Sequence, residues 1–354
     1  YARTWDTNAV TIDSNGNNFQ GDADTFTVDY DTEGQGINIV YSGSTNGWIP
    51  NSDIANALTP VAPPTQRGIF AYGYTNANVS MSNLINSSGV IASDVSGVGS
   101  DTANLAAATY GIDKAIFAYG STNSDVNTKN LVNNSGVIQA TAAGVGTARS
   151  ALSAAGYGTD KAIFDYGTTG SLSTISNLVT NQGVVGSDNS IAGSGRRYHT
   201  SVGYGGDKAI SFGGRDGASG RLNTKNLISN TGVVAANATG GGTARNNLAS
   251  TTYGSSGEAM FAYGNSDGAT NLSLKNLINS SGAIASDVTG VGTARQALAA
   301  TNYGGDKGAF AYGNTSSAVS IKNLAGNNGV IASDVTGVGT GRYYLAAAGY
   351  STSA

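Results

Sequence analysis

Along most of the chain, short apolar runs alternate with clusters of Gly, Asn, Asp and Ser. Ala115-Ile116-Phe117-Ala118-Tyr119 is apolar at every position, whereas Leu105 to Tyr110 and Val330 to Val335 are mixed. Runs of this length, bounded by residues that tolerate positive φ, read as β-strands joined by turns. A helical reading fails, because glycine interrupts too often and no apolar pattern of period 3.6 persists. The pattern predicts an all-β chain. A run that is apolar on both faces predicts a strand covered on both sides, as between neighbouring sheets.

The runs repeat. Strings matching Ala115 to Gly120 close at Gly73, Gly120, Gly167, Gly214, Gly264 and Gly313, with spacings of 47, 47, 47, 50 and 49 residues. A second string ends at Tyr110, Tyr157, Tyr204, Tyr253, Tyr303 and Tyr350, and a third begins at Asn83, Asn130, Asn177, Asn226, Asn276 and Asn323. One repeat reads as four strands, 295–303, 307–312, 321–325 and 330–335, with turns at Gly304-Gly305-Asp306 and Asn327-Asn328-Gly329. Tandem four-stranded antiparallel units of roughly this length predict a β-propeller, with an open β-solenoid as the runner-up. The ends favour the propeller. The first copy begins at Arg67 with its second strand, and 342–350 is a spare first strand. Six blades are expected over 67–350, the closing blade combining 67–97 with 342–350, which removes two exposed sheet edges.

Arg196-Arg197-Tyr198-His199, followed by Ala209-Ile210-Ser211-Phe212-Gly213-Gly214, resembles the kelch family of propellers, whose blades carry an early Arg in strand one and Gly-Gly after strand two. The other copies depart from it, with Tyr-Gly in place of Gly-Gly and no late aromatic in strand four. The resemblance implies a fold and no particular activity.

Residues 1–50 do not follow the repeat. Val10-Thr11-Ile12, Phe26-Thr27-Val28-Asp29 and Ile37 to Tyr41 are short alternating runs ending at Gly47-Trp48-Ile49, with turns at Asn15-Gly16, Gly21-Asp22 and Glu33 to Gly36. A module this small buries little alone and is expected to pack on itself in an oligomer or on a larger partner. Its residues 8–48 resemble small β modules of bacteriophage tail fibres and other virion proteins. The resemblance implies attachment to other virion proteins through residues 1–50 and, by analogy, a homotrimer. Residues 51–66, with Pro50, Pro60, Pro63 and Pro64 in or beside them, read as a linker before a propeller at 67–354.

Composition narrows the chemistry. Charged residues make up 11% of the chain against about 25% in an average domain. Of 354 residues, 52 are Gly and none is Cys. Without Cys there is no disulfide, no Cys-ligated metal and none of the Cys–Tyr chemistry of copper oxidases built on kelch scaffolds. One His, His199, excludes a His cage within one chain, so no metal and no cofactor are expected. A net charge of −4 provides no global basic field for nucleic acid. No apolar stretch is long enough for a membrane-spanning helix, and no membrane insertion is expected. The chain starts at Tyr1 without a basic-then-apolar leader, so either a segment was removed upstream or the chain is a piece of a longer one.

An enzyme is not expected. Sialidase-type Ser-x-Asp-x-Gly-x-Thr-Trp boxes are missing, a Ser–His–Asp triad has only His199 to use, and no nucleophile elbow surrounds any Ser. The two Glu are Glu33 and Glu258, and the aspartates sit mostly at repeated turns such as Asp113, Asp160, Asp207 and Asp306. Strand one starts with Arg149, Arg196, Arg245, Arg295 and Arg342, with Thr102 breaking the series. Eight residues before these positions stand Asp94, Thr141, Asp188, Asn237, Asp287 and Asp334. A device repeated in five of six copies reads as scaffold, with Arg binding carboxylates and carbonyls to fasten strand four of one blade to strand one of the next. The anion-site alternative draws on the divergent fourth repeat, where two Arg stand beside His199.

The loops after strand two vary, and strand direction places them on the face that carries the blade-to-blade links. A rigid scaffold with one variable loop face is a usual layout for binding. The candidate binding residues are Asn76, Asn123, Thr169, Arg215, Asp216, Arg221, Asp267 and Asn314. The expected function is a structural, receptor-binding protein at the surface of a phage virion, its loop face holding a host surface glycan or protein. The alternatives are a passive virion decoration or joint, a cellular surface adhesin, and a polysaccharide-degrading propeller enzyme.

Overall fold

A computed structural model describes residues 4–21, 23, 28–32, 36–54, 66–290 and 292–352. The expected strand residues Phe26 and Thr27, the turn residues Asp22 and 33–35, and Pro60, Pro63 and Pro64 lie outside them. The described residues form 24 strands and no helix. The chain divides into two compact units, Tyr1–Ala62 and Pro63–Ala354.

In the first unit, β1 (Val10–Ile12) pairs antiparallel with β2 (Val28–Tyr30), and β3 (Gly36–Tyr41) with β4 (Trp48–Ile54). Residues 51–54, expected as linker, therefore extend a strand. Pro50 is accommodated beside a register shift at Asn38/Ile39, where the ladder is already interrupted. Phe19 and Tyr30 are buried, while Val40 and Tyr41 are exposed.

The second unit holds six antiparallel sheets. Sheet 1 contains β5 (Gln66–Ala71), β6 (Ser82–Ile85) and the last strand of the chain, described below. Sheet 2 is β7 (Ala106–Tyr110), β8 (Lys114–Ala118) and β9 (Lys129–Val132). Sheet 3 is β10 (Ser153–Tyr157), β11 (Lys161–Asp165), β12 (Ile175–Val179) and β13 (Asn189–Ser190). Sheet 4 is β14 (Thr200–Tyr204), β15 (Lys208–Phe212), β16 (Thr224–Ile228) and β17 (Ala238–Thr239). Sheet 5 is β18 (Ala249–Tyr253), β19 (Glu258–Ala262) and β20 (Lys275–Ile278). Sheet 6 is β21 (Ala299–Tyr303), β22 (Lys307–Ala311) and β23 (Lys322–Ala325). The last strand, β24 (Ala346–Ser351), pairs with β5 from Ala346↔Ala71 to Ser351↔Gln66, so the two ends of this unit share sheet 1.

The core lies between sheets. Ile116 and Ala118 pack with Leu152, Ala162 and Phe164 of the next sheet, and five further clusters of this kind join neighbouring sheets. Second strands such as β8 and β22 are buried from their second residue onward, and β5 from Gly68, as their apolar faces require, whereas first strands such as β7 and β21 alternate buried and half-buried positions.

Two local features differ from expectation. First strands begin late: β21 starts at Ala299 rather than 295, because Ala297 takes φ 53° and bends the chain. The fourth strand is fragmentary. It is two residues long in sheets 3 and 4 and only paired bridges such as Ser82↔Val95 and Ile85↔Ile91 in the others. The reason is a side chain. Asn83 donates to the Ala92 carbonyl (3.0 Å) and to Asp94 (2.9 Å), taking the place of ladder bonds at the outer edge.

Candidate functional site

The five arginines are fully buried. Arg149, Arg295 and Arg342 donate through Nε to the carbonyls of Tyr166, Tyr312 and Tyr72 in their own sheets, at 2.8–2.9 Å. Each guanidinium lies over a tyrosine of the preceding sheet, 4.2 Å from the rings of Tyr119, Tyr263 and Tyr312 respectively. Arg196 stacks on Tyr166 in the same way at 4.3 Å. Arg245 lies 5.6 Å from Phe212, because sheet 4 carries Gly213 where the tyrosine stands elsewhere.

The carboxylates do not act as expected. Asp188, Asp287 and Asp334 do not pair with the arginines eight residues on. Asp287 lies 3.6 Å from Arg245 and Asp94 4.0 Å from Arg342, each within one sheet. Asp188 and Asp334 accept from the N–H and hydroxyl of Thr147 and Thr293. An Asn of the third strand holds each Asp, so the tie runs from a sheet's outer edge back to the segment before its own first strand. The intersheet fastening is the stacked Arg–Tyr contact. Burial acts to raise the Asp287 carboxyl, but hydrogen bonds from Thr243 and Asn276 and the Arg245 charge hold it below the ordinary carboxylate range. The turn aspartates Asp113, Asp160, Asp207 and Asp306 pair with the lysines that follow them.

His199 and its neighbours form a second buried group. Its Nε2 lies 3.0 Å from Asp165 Oδ1, and Ser201 and Ser211 both donate to the same carboxylate. Asp165 stands where four other copies have Ala and one has Phe212, and His199 where all the others have Leu. A catalytic triad places His between Ser and Asp; here Asp165 is the hub and the side chains of both His199 and Asp165 are fully buried. Burial acts against the charged carboxylate, yet His199, Ser211 and Arg196 hold Asp165 below the ordinary carboxylate range, while burial lowers His199.

The open site is where the first strands begin. Six backbone bonds run Ala151→Asn104, Tyr198→Ala151, Asn247→Tyr198, Ala297→Asn247, Tyr344→Ala297 and Asn104→Tyr344, at 2.8–2.9 Å, and close a cycle. All six residues hold φ of 52–58°. A cavity of about 140 Å³ lies inside this cycle, walled below by the small residues of the first strands. Bridges such as Arg197↔Arg215 and Tyr343↔Tyr74 join the cycle to the bases of the variable loops.

At the three mouth positions of each repeat (the cycle residue, the one before it and the loop base), four copies carry Ala, Ser, Thr, Asn or Gln. The exceptions are Arg197, Tyr198 and Arg215 in one copy and Tyr343, Tyr344 and Tyr74 in another. Tyr198 and Tyr344 are three steps apart in either direction round the cycle, yet their rings stack at 5.8 Å across the mouth. The contacts continue from Tyr344 to Tyr343 (5.0 Å), from Tyr343 to Tyr74 (5.4 Å), and from Tyr198 to Arg197 (5.6 Å). Burial pushes the Tyr344 hydroxyl up to about 12, so it stays a neutral donor.

The expected loop residues divide. Asn76, Asn123, Thr169 and Asp267 are exposed in turns closed by their own bridges, such as Ser121↔Asp125. Asp216 holds the Gly220 N–H at 2.7 Å within its turn. Arg215 and Asn314 stand at loop bases bridged to the mouth, and Arg221 pairs back onto Arg215. The mouth tyrosines were not singled out from the sequence. Reading the six copies column by column, two positions after the strand-one Arg, would have found Tyr198 and Tyr344. No family model matches this chain, and no curated protein matches it.

Proposed function

We propose that residues 67–350 form a six-bladed, kelch-like β-propeller. We further propose that the chain is a non-enzymatic binding protein of a bacteriophage virion, anchored to other virion proteins through residues 1–50, with its loop face holding a host surface glycan or protein. The propeller reading is supported by the cycle at the mouth and by a second cycle at the other end. There Gly111, Gly158, Gly205, Gly254, Gly304 and Ser351 each donate to a backbone carbonyl of the next sheet, at 2.7–3.0 Å. The virion reading rests on the resemblance of residues 8–48.

The binding reading is carried by one observation. In a scaffold copied six times, the mouth departs from the copy in two opposed sectors. Fastening devices repeat; a site for one asymmetric ligand need not. The non-catalytic reading draws on Asp165, which is engaged by both His199 and Ser201. The labelled full-length chain is expected to bind cells of susceptible bacteria and to lose that binding when the six loops and mouth residues are replaced by the Ala/Ser/Asn pattern of the other copies. Binding that survives this replacement would overturn the reading. A particle reconstruction with the loop face packed against other virion proteins would favour a passive joint.

A further inference from the structure

The mouth carries a charge asymmetry that the glycan-or-protein reading does not use. Arg197, Arg215 and Arg221 are half-buried at one side of it, and none forms an ion pair with a described carboxylate. Their Nε atoms are buried without a hydrogen-bond partner among the described residues. Arg215 donates to Ser219 Oγ through Nη2 (2.6 Å), and Arg221 donates to the Ser219 carbonyl through Nη1 (2.7 Å) and weakly to Asn265 (3.4 Å). In a chain of net charge −4, three clustered guanidinium groups, of which only Arg221 feels a nearby carboxylate (Asp267), concentrate positive potential at one point. Beside them runs the Tyr198–Tyr344–Tyr343–Tyr74 strip, whose ring-to-ring steps of 5.0–5.8 Å match the scale of successive pyranose rings.

Resting on the binding reading above, we propose that the mouth takes an anionic saccharide: sugar faces lie along the tyrosines, and a carboxylate or phosphate is held by Arg197, Arg215 and Arg221. Planar guanidinium groups grip either anion through paired N–H donors. Neutral sugars leave the arginines unused, and nucleic acid gains no extended basic track.

The test uses the full-length chain and titration calorimetry against four probes: trigalacturonate, its methyl ester, a glycerol-phosphate teichoic acid and a neutral galactan. Trigalacturonate or the teichoic acid is expected to bind, and whichever binds more tightly identifies the anion. The methyl ester and the galactan should bind at least tenfold more weakly. R197Q/R215Q should lose at least tenfold in affinity for the acidic probe and flatten its salt dependence. Y344A should weaken all probes, and V233S, at an exposed turn between a third and a fourth strand, should change nothing. Equal binding of ester and acid, lost in Y344A but kept in R197Q/R215Q, would overturn the anionic proposal and leave the binding reading standing. No binding of any probe, together with no binding to cells, would overturn both. Unchanged near-ultraviolet circular dichroism of each variant keeps loss of binding distinct from loss of fold.

Discussion

Tyr119, Tyr263 and Tyr312 hold φ of 62–65°, a conformation that costs a non-glycine residue about 1–2 kcal/mol. What offsets it is the ring face offered to the arginine of the next sheet at 4.2 Å, an interaction of about 2 kcal/mol when desolvated. The planar fork matters as much as the charge, since Arg295 also donates to the Tyr312 carbonyl at 2.9 Å. R295K is therefore expected to lose about 2 kcal/mol, read as a lower urea midpoint; an unchanged midpoint would show that charge alone suffices. The glycine after each tyrosine is held by space as well as φ. Gly313 sits at φ 109°, and an added Cβ would meet the Gln296 carbonyl at 2.9 Å. G313A should lower stability by about 2 kcal/mol in the same assay.

Between elements, sheets 3 and 4 exchange the Ala–Leu contact of other copies for Asp165 and His199. Removing one member leaves the other buried and uncompensated. H199L should destabilise by about 3 kcal/mol, whereas D165A/H199L, which restores the apolar pair, should recover most of the loss. A double variant as unstable as the single one would refute this account. Both groups have lowered folded values, so the stability they contribute is complete above 6.5, the ordinary value for His. It declines as pH falls past that value and again below 3.8, the ordinary value for Asp. Thermal midpoints measured down the pH scale should therefore fall more steeply for the native chain than for the double variant. A parallel decline would overturn the linkage.

At the scale of the molecule, β24 is the single strand that joins the two ends of the second unit, and it lies against both β7 and β21. Deleting residues 344–354 removes the first strand of sheet 1 and opens both backbone cycles, at Tyr344 and at Ser351. The truncated chain is expected to lose the single cooperative unfolding transition and its near-ultraviolet signal. A stack that was open at both ends would lose only one unit, and a truncation that unfolds cooperatively with nearly the native midpoint would favour that architecture.

Much of this was legible in the sequence because it was written six times. The all-β class, the both-faces-buried second strand and the pairing of the last strand with the first copy follow from apolar periodicity and from one missing and one spare strand, which are local properties of the chain. The arginines were legible as a repeated device too, but their partners were not. Sequence separation placed Asp188, Asp287 and Asp334 beside the wrong arginines, because third-strand asparagines hold those carboxylates at their own sheet's edge. The repeat columns carry Tyr198 and Tyr344, but that they meet across one mouth was decided by tertiary structure alone. Tyr198 and Tyr344 are far apart in sequence and stack only because six first strands start around one cavity, a consequence of how sheets pack rather than of any local pattern.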